Sequence, residues 1–446
     1  MTRTRVDPTR RVALDVLQAV RTRDAYANLV LPSLLTSRRV TGRDANFATE
    51  LTYGTLRGQG TYDVIIGHCV DRPGTRLDAI VHDILRLGAH QLLRMNVPNH
   101  AAVGTSVELA KSAGRSGLSG LVNAVMRRLG EQSLDAWLEQ VIPNGAAQAV
   151  ELSIRYSHPE WIVTGFQDVL SDWSETQALL VANNTAATVT LVARPGRCTV
   201  DELVAGGARA DTWSPVGASW PGGEPSALPA VQQGRAGVQD AGSQLVALAL
   251  ANAELDGKDT AWLDLCAGPG GKAALLGGLA GQRGAALTAV EPQPHRATLI
   301  SQAVDNDVDV VVADGRDQTW ATGTYDRVLV DVPCSGLGAL RRRPEARWRR
   351  SASDVEQLQL LQRQLLTNAV AAIRPGGVVA YVTCSPLRSE TSDVVSTVLG
   401  ADSGLSQRDA RPLLPGVSHL GPGPDVQLWP HRHNTDAMYL AILERN

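Results

Sequence analysis

The sequence predicts a multidomain fold, with an all-α domain over roughly residues 1–145, a small α+β module over 150–235 and an α/β domain over 236–446. Two observations predict this division. Apolar residues follow helical spacing in the first part of the chain, and no alternating strand pattern occurs before about residue 185. From about residue 237, short apolar runs alternate with helical segments. That alternation is typical of a mostly parallel sheet with helices on both faces.

The all-α prediction depends on the spacing of apolar side chains. Val81, Ile84, Leu85, Gly88 and Leu92 fall on one face of a helix. Similar spacing recurs over residues 12–20 and 121–129. Each of these segments needs another apolar surface to cover it, so we expect the helices to pack into one domain.

The middle of the chain has a different character. Residues 187–192 form a β-type run, and residues 200–208 suit a short helix. Segment 213–234 is rich in Pro, Gly and Ser and is predicted to be a loop. A small α+β module follows from this mixture.

The last part of the chain carries the pattern of a layered sheet. A helix is predicted over 353–373. The predicted strands are 261–265, 286–290, 308–312, 328–332 and 378–382.

Composition limits the class of partner. Hydrophobic residues make up 43% of the chain and charged residues 20%, which is ordinary for a soluble globular protein. The net charge of -3 argues against a surface that is basic throughout. A nucleic acid can still meet a local basic patch. The densest group of arginines is Arg341, Arg342, Arg343, Arg347, Arg349 and Arg350.

The cysteines and the chain start suggest a reducing compartment. The cysteine count is 5, and no pair has the close spacing of a zinc or redox motif, so free thiols and no metal site are expected. Residues 1–5 precede no apolar run, and no stretch is long enough for a membrane helix. A cytoplasmic protein is therefore the expectation.

A glycine-rich turn follows the first predicted strand of the α/β domain. Segment 264–272 reads Asp-Leu-Cys-Ala-Gly-Pro-Gly-Gly-Lys and opens a helix. Its glycines let the backbone turn sharply and approach a ligand. Glu291 and Asp314 end the next two strands, where they can bond to ribose hydroxyls and to an adenine edge. These features predict an adenosine-like ligand at the carboxyl side of the sheet.

Other interpretations of the turn remain open. The segment also fits the GxGxxA pattern of dinucleotide sites, although that pattern alone is weak. A phosphate-binding P-loop is disfavoured, because Cys266 stands at its first glycine and Ala273 replaces its Ser or Thr. A glycine turn without a ligand, or a solvated acid at a strand end, is the structural alternative.

Two cysteines follow the last two predicted strands. Cys334 comes three residues after Asp331, and Cys384 follows Thr383. Neighbouring strands lie about 5 Å apart, so both thiols can face one cleft. A lone strand cysteine is more often a small buried hydrophobe. That interpretation is given to Cys69, Cys198 and Cys266.

The combined motifs closely resemble those of the RNA cytosine-5 methyltransferases of the RsmB (Fmu/Sun) family. The helical region resembles the NusB-type RNA-binding domain attached to that family, and the α/β domain resembles its Rossmann-like methyltransferase domain. The matches include DLCAGPGGK at 264–272, DVPCSGLG at 331–338, RRRPEARW at 341–348, VTCS at 382–385, and segments 53–57, 84–93, 157–161 and 237–245.

The resemblance implies roles for individual residues. Cys384 would be the nucleophile, Cys334 would assist release of the methylated RNA, and Asp331 would share in catalysis. The implied substrate is one cytosine of 16S ribosomal RNA. DNA cytosine-5 methyltransferases use the cysteine of the Pro-Cys motif instead, and chemistry alone does not separate the two thiols. The implied S-adenosylmethionine site comprises Cys266, Ala267, Gly268, Pro269, Gly270, Gly271, Lys272, Glu291, Asp314 and Asp331.

The implied reaction explains these residue types. Carbon 5 of cytosine is a poor nucleophile until a thiolate adds to carbon 6, and an acid near N3 stabilises the charge that develops. A base must then remove the carbon 5 proton. A free thiol is mostly protonated at neutral pH, so a nearby cation should activate it. Lys272 and the arginine cluster are both candidates.

The arginine-rich run is predicted to border the cleft and to bind RNA. Arginines there can contact phosphates, and Trp348 offers a stacking face to a base that has left its helix. The alternative is a solvated charged loop. The predicted RNA contacts are Arg341, Arg342, Arg343, Arg347 and Trp348.

The chain departs from the family pattern at two places. Glu390 is followed by Thr391 where the family usually has Asn, and residues 436–439 read Asp-Ala-Met-Tyr in place of Asp-Gly-Phe-Phe. Two competing hypotheses stay open from the sequence. A nicotinamide-dependent dehydrogenase would not require Cys384, and a non-catalytic RNA-binding protein would bind RNA without regard to S-adenosylmethionine.

Overall fold

The structure is a computed structural model that describes residues 7–70, 76–305, 307–317 and 322–446. Residues 1–5, on which the expectation of no N-terminal apolar segment depends, lie outside the described residues. The chain forms two compact units. The helical unit comprises Met1–Thr185 and Leu340–Arg349, and the α/β unit comprises Ala186–Ala339 and Arg350–Asn446.

The described residues of the helical unit form helices and turns, which confirms the all-α prediction. None of the helices in the described ranges has the length and apolarity that crossing a membrane requires. The helices are α1 (Pro8–Arg23), α2 (Ala27–Ser37), α3 (Gly42–Cys69), α4 (Ala79–Leu93), α5 (Asn99–Ser112), α6 (Ser119–Leu129), α7 (Leu134–Val141), α8 (Gln148–Tyr156), α9 (Glu160–Leu170), α10 (Trp173–Asn183) and α16 (Ala346–Arg349), with a 3₁₀ helix at Ser116–Leu118.

Local side chains account for where the helices begin and which face they bury. The Asp7 carboxylate accepts hydrogen bonds at the start of α1, and the Asp78 carboxylate does so at the start of α4. Both satisfy backbone N–H groups that have no partner within the helix. Val81, Ile84 and Leu85 of α4 are fully buried, as their spacing predicts.

The helical unit extends beyond the predicted domain end at residue 145. Helices α8, α9 and α10 belong to it, and hydrogen bonds join α8 to α3. Thr61 Oγ1 donates to Ile154 O over 2.6 Å, and Gly60 N donates to Ser157 Oγ over 2.8 Å. These contacts link residues far apart in sequence, so the spacing within one helix could not indicate them.

A small antiparallel sheet begins the α/β unit, with strand order β2-β3-β1-β4. The prediction of a loop over 213–234 is wrong where β3 and α12 form. Strand β3 pairs with β1 through long-range backbone hydrogen bonds that its Pro- and Gly-rich surroundings do not indicate. The elements are β1 (Val189–Ala193), α11 (Val200–Ala205), β2 (Arg209–Ala210), β3 (Gly217–Trp220), a 3₁₀ helix (Pro225–Ala227), α12 (Pro229–Gln232) and β4 (Ala236–Val238).

The rest of this unit is a large sheet covered by helices. Its strands are β5 (Ala261–Asp264), β6 (Ala286–Val290), β7 (Asp309–Val311), β8 (Tyr325–Asp331), β9 (Ile373–Thr383), β10 (Leu405–Arg408), β11 (Val426–Gln427) and β12 (Tyr439–Arg445). Its helices are α13 (Ala241–Asn252), α14 (Gly271–Gln282), α15 (Pro294–Ala303), α17 (Ala352–Ala372), α18 (Ser392–Ala401) and α19 (Pro430–His433), with 3₁₀ helices at Leu337–Ala339, Arg388–Glu390 and Arg411–Leu413.

The large sheet is parallel where the sequence predicts strands. Strands β9, β8, β5, β6 and β7 are neighbours in that order and all run the same way. Strand β12 pairs antiparallel with β9, and β10 pairs with β12, an extension that the sequence did not predict. Val328, Leu329 and Val330 are all buried, in cores on alternate faces. The carboxyl ends of the parallel strands therefore meet at one edge, between two covered faces.

Candidate active site

The glycine turn after β5 brings backbone close to an acid. A Cβ atom at Gly268 would lie 2.0 Å from Glu291 Oε2, so no other residue fits there without displacing the carboxylate. Gly270 has a φ of 108°, which favours glycine, and it stands directly before α14. The turn is thus shaped to leave room beside the Glu291 carboxylate.

Glu291 and Asp314 are held at the ends of β6 and β7. Glu291 Oε1 accepts a hydrogen bond from Gln293 N over 3.0 Å, and Oε2 lies 3.3 Å from Arg296 Nη1. A side-chain hydrogen bond from Arg316 lowers the pKa of Asp314. Both predicted acids therefore stand at the carboxyl edge of the sheet.

The last residue of β5, Asp264, was not among the predicted cofactor residues. It is fully buried, and neither carboxylate oxygen has a hydrogen-bond partner among the described residues. Burial, together with the nearby Asp331 charge, raises the pKa of Asp264 to about 7. A buried carboxylate with no side-chain partner suits contact with a positively charged ligand. The sequence signal is a lone acid at the end of an apolar strand.

Lys272 occupies the first turn of α14 and pairs with the acid at the end of β8. Its Nζ lies 2.8 Å from Asp331 Oδ2. Burial acts to lower the pKa of Lys272, but the charge and hydrogen bond of Asp331, together with the charges of Cys384 and Asp264, outweigh it and the pKa is raised. The Cys384 sulfur also interacts electrostatically with this ammonium group. A permanent positive charge therefore lies beside the strand end that carries the second cysteine.

The two predicted cysteines are in contact. Cys334 Sγ and Cys384 Sγ are 3.2 Å apart, because β8 and β9 are adjacent parallel strands. The hydrogen bond with Cys384 and burial raise the pKa of Cys334 well above its ordinary value. Cys334 is therefore a neutral thiol in the resting protein. The two adjacent thiols can therefore take different roles in one reaction.

Gly338 closes the loop that follows Cys334. Gly338 N donates to Cys384 O over 2.8 Å, and Ala437 N donates to Gly338 O over 2.9 Å. A Cβ at Gly338 would lie 2.3 Å from Ala437 O, so the close approach requires glycine. The departure at residues 436–439 thus keeps its backbone contact with this loop. Sequence reasoning missed Gly338, whose need for close approach depends on a distant segment.

A buried acid, Glu390, lies beneath both cysteine loops. Its carboxylate accepts hydrogen bonds from Ser335 N and Ser335 Oγ, from Ser385 Oγ, and from Gln362 Nε2. The hydroxyl of Thr391, which stands where the family usually has Asn, donates to Leu387 O over 2.9 Å. The sequence reasoning treated Glu390 only as a family feature, and its contacts were not foreseeable from spacing.

The other cysteines do not join this pair. Burial, followed by the Asp264 charge, raises the pKa of Cys266 well above its ordinary value, which suits a lining residue and not a nucleophile. Cys69 lies in α3 of the helical unit. Cys198 lies beside the small sheet, between β1 and α11.

Residues 341–349 of the arginine-rich run belong to the helical unit, and Arg350 belongs to the α/β unit. Arg341 and Arg347 are buried. In contrast to the prediction, neither guanidinium group is presented to RNA in this structure. Arg342 is half-buried and Arg343 is exposed, while Trp348 is 37% exposed. RNA contact by these three residues stays a prediction.

Arg347 has a structural role instead. Its Nη1 donates to Ser157 O over 2.9 Å and to Asn184 Oδ1 over 2.9 Å. Ser157 and Asn184 cap the C-terminal ends of α8 and α10, where helix dipoles favour a cation. Burial, with the nearby Arg57 charge, lowers the pKa of Arg347 to about 9, so it remains charged at neutral pH.

Comparison with known proteins agrees with this geometry. Residues 247–444 match the family model described as 16S rRNA methyltransferase RsmB/F, and residues 7–131 match the NusB family. Rv1407 of Mycobacterium tuberculosis is 48% identical over 99% of this chain and 97% of its own length. Its assignment as a methyltransferase is provisional and names no substrate. Ribosomal RNA small subunit methyltransferase B of Cronobacter sakazakii is 31% identical over 87% of this chain and 89% of its own.

Solved structures share the fold. The crystal structure of PH0851 has a TM-score of 0.80 at 21% identity and covers 98% of this chain and 99% of its own. NSun6 from Pyrococcus horikoshii has a TM-score of 0.56 at 15% identity, over 64% of this chain and 98% of its own. From the sequence relationships, this chain belongs to the RsmB/F family of S-adenosylmethionine-dependent RNA methyltransferases and carries a NusB-family domain.

Proposed function

We propose that the protein methylates carbon 5 of a cytosine in 16S ribosomal RNA through a transient bond between Cys384 and carbon 6 of the base. The observation that carries this proposal is the pair of sulfur atoms, Cys334 Sγ and Cys384 Sγ, 3.2 Å apart beside Lys272. One thiol alone would suit a buried structural cysteine. Two thiols in contact beside a cation suit a reaction that must both form and break a carbon–sulfur bond.

Cys384 is the proposed nucleophile. Its thiolate adds to carbon 6, and the electron pair of the carbon 5–carbon 6 double bond moves toward N3 and carbon 5. The positive charge on Lys272 stabilises negative charge on the sulfur before attack. The base has to leave its helix to reach Cys384, because stacking covers both faces of carbon 6.

Asp331 is proposed to act as the acid at the N3 edge of the cytosine. Its Oδ2 accepts the hydrogen bond of Lys272, and none of the described residues donates to Oδ1. A protonated carboxyl oxygen in this position can donate its proton to N3 of cytosine, and the resulting Asp331 carboxylate stays paired with Lys272. Protonation or hydrogen bonding at N3 neutralises the charge that arrives there as the thiolate adds.

Cys334 is proposed to assist release. In the resting protein its hydrogen bond with Cys384 is the largest cause of its raised pKa. When Cys384 becomes a thioether its sulfur can no longer carry negative charge, so this cause weakens and Cys334 ionises more readily in the adduct. Once carbon 5 has taken the methyl group, the ionised Cys334 can take the carbon 5 proton, directly or through water. The electron pair of that C–H bond re-forms the carbon 5–carbon 6 double bond, the carbon 6–sulfur bond breaks, and the thiolate of Cys384 returns.

The residues of the glycine turn fit an S-adenosylmethionine site. When bound there, the cofactor supplies an electrophilic methyl group on a sulfonium ion. We assign Glu291 to the ribose hydroxyls, Asp314 to the adenine edge, and the buried Asp264 to the positively charged methionine end. We infer that Cys266, Ala267, Gly268, Pro269, Gly270, Gly271, Lys272 and Asp331 line the rest of the site.

The choice of 16S ribosomal RNA is supported by the family model and by the name of the Cronobacter relative. It is tested by bisulfite sequencing of ribosomal RNA from cells with and without the gene. We expect one 16S cytosine to lose its methyl group in the deletion strain and to regain it with the wild-type gene, but not with Cys384→Ala. Unchanged 16S methylation together with loss at a transfer-RNA cytosine would reject ribosomal RNA as substrate and keep the chemistry.

A further inference from the structure

Glu390 lies where it can control both cysteines without touching substrate. It is fully buried, and the backbone carbonyl of Glu390 accepts a hydrogen bond from Tyr381 Oη over 2.8 Å. This contact anchors the residue to β9. No ion pair is described for its carboxylate among the residues of the structure, so hydrogen bonds alone compensate its charge.

One carboxylate oxygen holds the backbone around Cys334. Glu390 Oε1 accepts from Ser335 N over 2.8 Å and from Gln362 Nε2 over 3.0 Å. The same Gln362 amide donates to Pro333 O over 3.0 Å. Residues on both sides of Cys334 are therefore attached to one buried group.

The other oxygen joins the Cys334 loop to the Cys384 loop. Glu390 Oε2 accepts from Ser335 Oγ over 2.5 Å and from Ser385 Oγ over 2.6 Å. The two hydroxyls are themselves 3.2 Å apart. Each serine directly follows one of the cysteines, so displacing this carboxylate displaces both sulfur atoms.

We propose that Glu390 is the positioning residue of the cysteine pair: its carboxylate ties Ser335 to Ser385 and so holds Cys334 Sγ and Cys384 Sγ at contact distance. The functional value of this positioning rests on the proposed two-cysteine reaction. The positioning of the two sulfur atoms by Glu390 does not depend on that reaction. Small displacements of reacting groups cost large factors in rate, which gives the contact its importance.

The test measures sulfur–sulfur proximity directly, in the full-length protein without RNA. Phenylarsine oxide condenses with two neighbouring thiols, forming two arsenic–sulfur bonds and releasing its oxygen as water with the two thiol protons. Wild-type protein should bind the reagent across the pair, and Cys334→Ala and Cys384→Ala should not. Glu390→Ala should bind it at least about tenfold more weakly, because the thiols are no longer held together.

Two further variants separate positioning from general stability. Glu390→Gln keeps the side-chain length and can still bond to both serine hydroxyls, so it should recover most of the affinity. The matched control is Asp326→Ala, since Asp326 is also buried and accepts from Thr260 N and Ala261 N at the other end of the strands. It should lower stability and leave reagent binding intact. If Glu390→Ala does not fold, the double variant Ser335→Ala with Ser385→Ala replaces it.

The outcomes are distinct. Wild-type affinity in Glu390→Ala, or an equal loss in Asp326→Ala, overturns the positioning role. In methylation assays Glu390→Ala should lower kcat at least about tenfold with little change in KM for RNA. A proportional rise in KM instead would mean that Glu390 acts on RNA binding, which overturns the inference. If wild-type protein methylates no RNA, the proposed function fails while the reagent result still decides this inference.

Discussion

At the scale of single residues, the two thiols of the α/β unit have unequal environments. Cys334 is held as a neutral thiol by its hydrogen bond to Cys384 and by burial, whereas Cys384 interacts with the Lys272 ammonium group. The sulfur that attacks the base benefits from a nearby positive charge. The sulfur that accepts a proton in a later step has to stay protonated until the adduct has formed. The cation beside Cys384 and the neutral thiol of Cys334 therefore suit the roles proposed for them.

This asymmetry predicts different outcomes for the two alanine variants. Cys384→Ala should abolish methyl transfer, since no adduct can form. Cys334→Ala should form the adduct and fail to resolve it, leaving protein covalently attached to RNA on a denaturing gel. Cofactor binding, measured by calorimetry, should be retained in both. Normal turnover by Cys334→Ala would contradict its role in release.

Asp264 predicts a dependence of stability on pH. Its pKa in the folded protein is raised from 3.8 to about 7, so folding favours the protonated form. Its contribution to stability is complete below pH 3.8 and is lost as the pH rises to about 7. Asp264→Asn should therefore be more stable than wild type at pH 8, by a few kcal/mol at most on the order-of-magnitude linkage estimate, and similar to it at pH 4.

The same residue predicts a dependence of cofactor binding on pH. A positively charged ligand favours the ionised carboxylate, so binding of S-adenosylmethionine should strengthen as the pH rises toward 7 and release a proton below it. Calorimetry in buffers of different ionisation enthalpy measures that proton. Asp264→Asn should bind more weakly and show no such dependence. An unchanged affinity would remove Asp264 from the site.

At the scale of secondary-structure elements, Arg347 joins the C-terminal ends of α8 and α10. Arg347→Met keeps the apolar volume but leaves Ser157 O and Asn184 Oδ1 without their charged donor. We expect a loss of about 3 kcal/mol in the free energy of unfolding of the helical unit. Urea denaturation measures this loss, and hydrogen exchange of α8 and α10 shows whether it is located at these helices.

The control for that variant is Arg343→Met. Arg343 is exposed, with its guanidinium over the Tyr26 ring at 4.9 Å from the centroid. Contacts of this kind contribute under about 1 kcal/mol at exposed positions. An equal loss from both variants would show that Arg347 has no special part in joining the helices.

At the scale of the whole molecule, the chain divides its chemistry between two compact units. The residues proposed for cofactor and catalysis all lie in the α/β unit, and the residues still proposed for RNA contact, at 342, 343 and 348, belong to the helical unit. A net charge of -3 is compatible with RNA binding because the basic groups are local.

This division predicts where the cofactor protects the protein. S-adenosylmethionine binds the native state and so should slow hydrogen exchange in residues 264–272 and around 291, 314 and 331. Exchange in α1 to α7 should change little. Equal protection in both units would indicate that the units respond to the cofactor as one cooperative body.

The sequence by itself determined the helical character of the first part, the five parallel strands and the residues at their carboxyl ends. These features follow from local periodicity, and parallel strands necessarily bring their ends to one edge. The glycine-turn motif and the two cysteine motifs indicated the family, because each lies within a short segment that can be recognised in the sequence alone.

Only the tertiary structure decided the roles of Glu390, Asp264, Gly338 and Arg347. Three of them depend on partners that are distant in sequence: Glu390 meets Ser335, Gly338 meets Ala437, and Arg347 meets the ends of two helices. Asp264 depends on its burial. An arginine in a basic run looks alike whether it faces solvent or caps a helix. Burial and hydrogen bonding separate the two cases, and both are properties of the folded chain.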